Sequence, residues 1–125
     1  MELRLLSLYP DQMNIYADRG NLIFLGRRCA WRGIDFEITR CGIGEHFDPE
    51  AFDLIYMGGG QDRDQKLVAA DLIASKKQSL DQAKAGGAVI LAVCGGYQLL
   101  GSSYQLETEE LEGLALVDLR TVRLP

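Results

Sequence analysis

Apolar positions along this chain alternate between short continuous runs and helical stripes. Leu3 to Leu8 (LRLLSL) is largely apolar and predicts an interior first strand, which Tyr9-Pro10-Asp11 ends because proline stops a strand and starts a loop. The loop over residues 9–21 (YPDQMNIYADRGN) is long for a strand-to-helix connection. It is placed to join a binding surface at the carboxyl ends of parallel strands, although nothing in its residues specifies chemistry. Between Asn21 and Arg32, Leu22, Leu25, Gly26 and Cys29 recur at spacings of three and four, with Arg27 and Arg28 on the other side. That spacing predicts a helix closed by Gly33. Ile34 to Thr39 alternates strictly, as a strand with one wet face does near a sheet edge. Phe52 to Met57 reads as a third strand. Asp62 to Ala85 reads as one long helix capped by Asp62, with Ala69, Leu72, Ile73, Leu80 and Ala83 on its inner face and Lys76, Lys77 and Gln78 outside it. Ala88 to Val93 is an unbroken apolar run, which predicts a strand buried on both faces of a parallel sheet.

Beyond Gly101 the pattern weakens. Ser102 to Leu106 reads as the frayed end of a helix begun at Tyr97, Glu107 to Glu112 as a solvated acidic loop, and Gly113 to Val117 with Leu119, Val122 and Leu124 as further strand. Strands alternating with helices predict right-handed crossovers and a three-layer α/β/α sandwich with a mostly parallel sheet. A sheet still being extended at Pro125 leads us to expect that residues 1–125 form the N-terminal part of a longer single domain, truncated at its C-terminal side.

The formal net charge of -5 argues against a nucleic-acid footprint, so Arg27-Arg28 and Lys76-Lys77 are expected on solvated helix faces. No apolar run approaches the length of a membrane span, and MELRLLSLYP lacks the features of a signal peptide. We therefore expect a cytoplasmic protein without stable membrane insertion. Cys29, Cys41 and Cys94 are odd in number and form no CxxC pair, which suggests neither a disulfide framework nor a metal site. His46, in GIGEHFDPE, reads as a solvated loop histidine.

The chemistry concentrates where the apolar run meets Cys94-Gly95-Gly96. A strand that turns sharply into a helix holds one side chain out in a strained, exposed position when its neighbours are small, the geometry of a nucleophile elbow. Cys94 would sit at a helix N-terminus, where free N–H groups and the helix dipole favour a thiolate, and the Gly95 N–H would point to a developing oxyanion. The alternative is a small buried core cysteine. The second glycine cluster, Gly58-Gly59-Gly60, ends the third strand at the same sheet edge. It matches neither GxGxxG nor GxxxxGK[ST], so an oxyanion-binding turn beside Cys94 is expected rather than a nucleotide loop.

Taken together, AVCGGYQLLG, YMGGGQD and LYPDQMNIYADRGN resemble class I, triad-type glutamine amidotransferase domains of the cobyric acid synthase-like branch. Within that branch they are most similar to the small glutaminase subunits of lipid II isoglutaminyl synthases, over most of the chain. The resemblance implies a flavodoxin-like fold in which Cys94 attacks the side-chain amide of L-glutamine and releases ammonia. It also implies that Gly95 and the Gly59-Gly60 turn supply the oxyanion hole and that Gln98 contacts bound glutamine. No metal or cofactor is implied for this chain. ATP is expected on a Mur-ligase-like synthetase subunit that uses the ammonia to convert D-glutamate of the lipid II stem peptide to D-isoglutamine. The family's histidine base lies downstream of the elbow, whereas His46 lies upstream, so residues 1–125 alone are expected to be weakly active or inactive. The alternatives are the glutaminase domain of a cobyrinic or cobyric acid amidating enzyme, a cysteine hydrolase without glutamine chemistry, and a binding module with a structural Cys94.

Overall fold

Four of the apolar runs pair side by side. The structure is a computed structural model and describes residues 1–15 and 18–125; Tyr16 and Ala17 of the long first loop lie outside the described residues. Strands β1 (Glu2–Leu8), β2 (Asp35–Cys41), β3 (Leu54–Met57) and β4 (Val89–Ala92) form a parallel sheet in the order β2-β1-β3-β4. Leu5 is in register with Ile38 on one side and Leu54 on the other, and Leu54 with Val89. Helix α1 (Asp18–Trp31) returns the chain to β2, while α2 (Asp62–Asp71), a π-helical turn (Leu72–Lys76) and α3 (Lys77–Ala85) return it to β4. The two crossovers leave the centre in opposite directions, so right-handedness places their helices on opposite faces. Gly26 of α1 packs on Phe36 of one face. On the other face Leu6, Leu8, Ile55 and Met57 share a core with Val68, Leu72, Leu80 and Ala83. The strand order reverses between β1 and β3, and their carboxyl ends form the switch point where open α/β sheets bind ligands.

The edge position of β2 agrees with its alternating pattern. The expectation for β4 is corrected: Ile90 and Ala92 pack on the core, but Val89 and Leu91 are 61% and 46% exposed, because β4 is the other edge and its outer face carries no helix among the described residues. Asp62 does not cap α2; Gln61 holds the N-cap position without a side-chain cap bond, and Asp62 falls in the first turn, where its charge complements the helix dipole. Lys76, expected in solvent, is 1% exposed, because the π turn adds a residue and rotates it inward.

The C-terminal quarter differs most from expectation. Ser103–Gln105 is a strand (β5), pairing antiparallel with β6 (Glu110–Glu112) and parallel with β7 (Arg120–Thr121). The acidic run is thus partly strand: Glu110 and Glu112 face solvent and Leu111 is buried, a period-two pattern too short to stand out. Gly113 to Val117 forms no strand. It folds back along the helix α4 (Gly95–Leu99), with Leu114 N–H donating to Leu99 O and Leu116 N–H to Leu100 O, both 2.9 Å.

Candidate active site

The β4 ladder ends with Val93 N–H donating to Met57 O at 2.9 Å, and the next residue breaks the strand. Cys94 has φ 56° and ψ -118°, a conformation that costs an L residue on the order of 1–3 kcal/mol and persists only where the surroundings impose it. They do so through Gly96. Its N–H donates to both Gly58 O and Val93 O at 3.0 Å, and a Cβ there would stand 2.6 Å from Met57 O. A larger residue would push the elbow off the end of β3. The side chain of Cys94 is exposed, whereas the other free cysteines, Cys29 and Cys41, are buried, and burial pushes the Cys41 thiol up. Helix α4 has only five residues, so what it offers Cys94 is free N–H groups more than a long dipole. The Gly95 N–H has no acceptor among the described residues.

The triple glycine is packed from three sides. From α1, the Asp18 carboxylate, 2% exposed, accepts from Gly59 N–H at 3.2 Å and from the Tyr56 hydroxyl at 3.0 Å, while Asn21 donates to the same hydroxyl. A Cβ on Gly58 would lie 2.3 Å from the Asp18 carboxyl carbon. Burial first, then the neighbouring Asp18, pushes the Tyr56 phenol up to about 12 despite the opposing Asn21 hydrogen bond. From the first loop, Ile15 N–H donates to Gly59 O at 3.2 Å, and Met13 sits against Gly60. From α2, the Gln65 side-chain amide donates to Gly60 O at 2.9 Å. The Gly59 N–H is therefore already occupied, and within this turn the Gly60 N–H is left without an acceptor among the described residues.

Behind the first loop lies a buried ion pair. The Lys76 ammonium binds Asp71, donates to Gly42 O at 2.9 Å and stands 4.7 Å from the Tyr9 ring centroid. The Tyr9 hydroxyl donates to Asp71 at 2.6 Å, and the Gly44 N–H donates to the same carboxylate at 2.9 Å. Burial alone would raise the Asp71 pKa, but the bonds from Lys76, Tyr9 and Gly44 outweigh it and hold the carboxyl below its ordinary range. Tyr9 has φ 50°, so this network holds a strained residue at the exact start of the loop that reaches Gly59.

The structure thus brings Cys94, Gly95 and the Gly58–Gly60 turn to one sheet edge, with Gln98 half-buried one turn after the cysteine. His46 is exposed in the loop between β2 and β3. A groove of about 450 Å³ between α1 and the β1-β2 pair, lined by Met13, Asp18, Leu22, Phe36 and Tyr56 among others, does not include Cys94. Asp18, Gln65 and the Lys76-Asp71-Tyr9 cluster are neighbours of the site that went unrecognised in the sequence. Gln65 carried a signal: with Val68, Ala69 and Leu72 it continues the inner stripe of its helix, a polar residue at a core position.

Residues 4–125 match the CobB/CobQ-like glutamine amidotransferase domain, and the chain belongs to that family. Among curated proteins it is 36% identical over 117 residues to the lipid II isoglutaminyl synthase (glutamine-hydrolyzing) subunit GatD of Streptococcus pneumoniae, covering 93% of this chain and 45% of that protein. It is also 36% identical over 121 residues to the GatD subunit of Staphylococcus aureus, covering 96% and 49%. The chain spans about half the length of both relatives. Among solved structures it aligns with PurLQS from Thermotoga maritima at a TM-score of 0.55 and 19% identity, over 86% of this chain and 50% of that one, a likeness of fold.

Proposed function

We propose that this chain hydrolyses L-glutamine through a Cys94 thioester and passes the ammonia to an ATP-binding, Mur-ligase-like synthetase subunit. That partner would amidate D-glutamate of the lipid II stem peptide to D-isoglutamine, in the cytoplasm. Residues 1–125 are, in this proposal, the N-terminal part of a single glutamine amidotransferase domain. The observation that supports it is a strained, exposed cysteine at the same sheet edge as glycine N–H groups without an acceptor among the described residues, in a chain 36% identical to two subunits of glutamine-hydrolysing lipid II isoglutaminyl synthases.

The Cys94 thiolate attacks the side-chain carbonyl carbon of glutamine, and the carbonyl oxygen takes up the charge. The Gly60 and Gly95 N–H groups receive it, with Gly59 shaping the turn through Asp18; one such donor is typically worth about a hundred- to a thousandfold in rate. Collapse breaks the carbon–nitrogen bond, ammonia leaves once its nitrogen is protonated, and water cleaves the thioester to glutamate and thiolate. Gln98 contacts the bound glutamine. The base that moves these protons belongs downstream of the elbow, by resemblance to the family, and His46 takes no part.

Mass spectrometry after incubating the full-length protein with 6-diazo-5-oxo-L-norleucine tests this. A single adduct on Cys94, suppressed by excess L-glutamine and by no other amino acid, is the expected result. No adduct, or one that glutamine leaves untouched, sinks the glutaminase function. Co-purification of a stoichiometric Mur-ligase-like chain separates the proposed partner from a fused cobyrinic acid-type arrangement.

A further inference from the structure

Gln65 is 3% exposed, yet it places a polar amide in the packing between α2 and the elbow. Its Nε2 donates to Gly60 O at 2.9 Å. The same amide lies directly against the elbow: a Cβ on Gly95 would stand 2.0 Å from Nε2 and 2.8 Å from Cδ. One planar group therefore touches both backbone segments whose N–H groups, at Gly60 and Gly95, lack acceptors among the described residues. Its orientation is forced, because exchanging oxygen and nitrogen would set the amide oxygen against the Gly60 carbonyl. The consequence is an orphan: Oε1 is buried without a donor among the described residues. A buried polar atom without a partner is uncommon and needs a reason. A methionine of similar length would fill the space without the orphan, so the hydrogen bond to Gly60 is what the amide adds.

We propose that Gln65 is a positioning residue that sets the separation between the Gly60 and Gly95 N–H groups, so that both meet one oxyanion. The inference rests on the glutaminase function above. Two bonds then fix the peptides on either side of Gly60. Ile15 holds the Gly59 carbonyl, which turns the Gly60 N–H to the opposite side because the peptide is trans and planar, and Gln65 holds the Gly60 carbonyl. Contact with Gly95 ties that peptide to the elbow.

The test compares the full-length protein with its Gln65→Met variant, measuring alkylation of Cys94 by 6-diazo-5-oxo-L-norleucine and by iodoacetamide, which needs no glutamine pocket. We expect the saturating rate with the glutamine analogue to fall about ten- to hundredfold while half-saturation and the iodoacetamide rate stay within about twofold. A saturating rate within about twofold of the unsubstituted protein, or equal losses with both reagents, overturns the inference. Independently of any variant, the Gln65 side-chain amide resonance of the unsubstituted protein should shift when Cys94 is alkylated by the analogue; an unmoved resonance also overturns it. If the unsubstituted protein is not labelled at Cys94 by the glutamine analogue, the glutaminase function itself fails and this inference falls with it.

Discussion

Gly95 and Gly96 are adjacent and small for different reasons, and substitution separates them. An alanine at Gly96 meets the backbone carbonyls of Met57 and Gly58, which cannot move without dismantling the end of β3. Gly96→Ala should therefore lower stability by about 1–3 kcal/mol, read as a shift of the denaturant midpoint. An alanine at Gly95 meets only the end of the Gln65 side chain. Gly95→Ala should leave the midpoint closer to the unsubstituted value and show itself in the alkylation rate of Cys94. Asp18 is a second residue whose role is local. Asp18→Ala strands the buried Gly59 N–H and Tyr56 hydroxyl, and at about 1–3 kcal/mol for an unsatisfied buried group the loss should reach about 3 kcal/mol in the same assay.

At the scale of elements, the π turn between α2 and α3 is what allows Asp71 and Lys76 to face each other. Five residues apart on a regular α-helix they would point in different directions, and the wider turn brings them together. The pair joins the end of β1, the loop after β2 and the helix. Lys76→Met should cost about 3 kcal/mol at neutral pH, because it removes the cation that balances the Asp71 charge and leaves that carboxylate to neutral hydrogen-bond donors, Tyr9 and Gly44 among them. The deficit should shrink in acid, as protonation of Asp71 removes the unpaired charge. Urea titrations of the variant and the unsubstituted protein between pH 4 and pH 7, with a deficit that does not shrink, would show that the pair matters for packing and not for charge. In the unsubstituted protein the depressed Asp71 pKa stabilises the fold above the ordinary carboxylate pKa, and that contribution is lost as pH falls through the depressed value.

The whole molecule is pinned at its switch point by two buried tyrosines, one on each side of the first loop. Tyr9 and Tyr56 both titrate above an ordinary phenol, and for both burial is the first cause. A raised pKa stabilises the fold below the unfolded value, near 10, and the contribution fades as pH rises towards the folded one. Unfolding free energy should therefore decline from about pH 10, with the Tyr56 share lost by about pH 12 and absent in Tyr56→Phe. Stability curves in urea at stepped alkaline pH measure this. The four-strand parallel sheet and the helices between its strands were legible in the sequence, because periodicity reports which side of an element is dry. The elbow at Cys94 and the glycine turn were legible too, since only small residues allow a chain to turn so tightly. The short strands after Gly101 were not, because two or three residues carry too little period to distinguish strand from loop. Nor were the exposed face of β4, the inward turn of Lys76, or the hold that Asp18 and Gln65 keep on Gly59 and Gly60. Local pattern along the chain settled the strands and helices of the parallel sheet and placed Cys94 at the sharp turn after β4. Which N–H groups stay open beside it depends on side chains from distant segments that meet only when the sheet assembles, so the tertiary structure alone decided that.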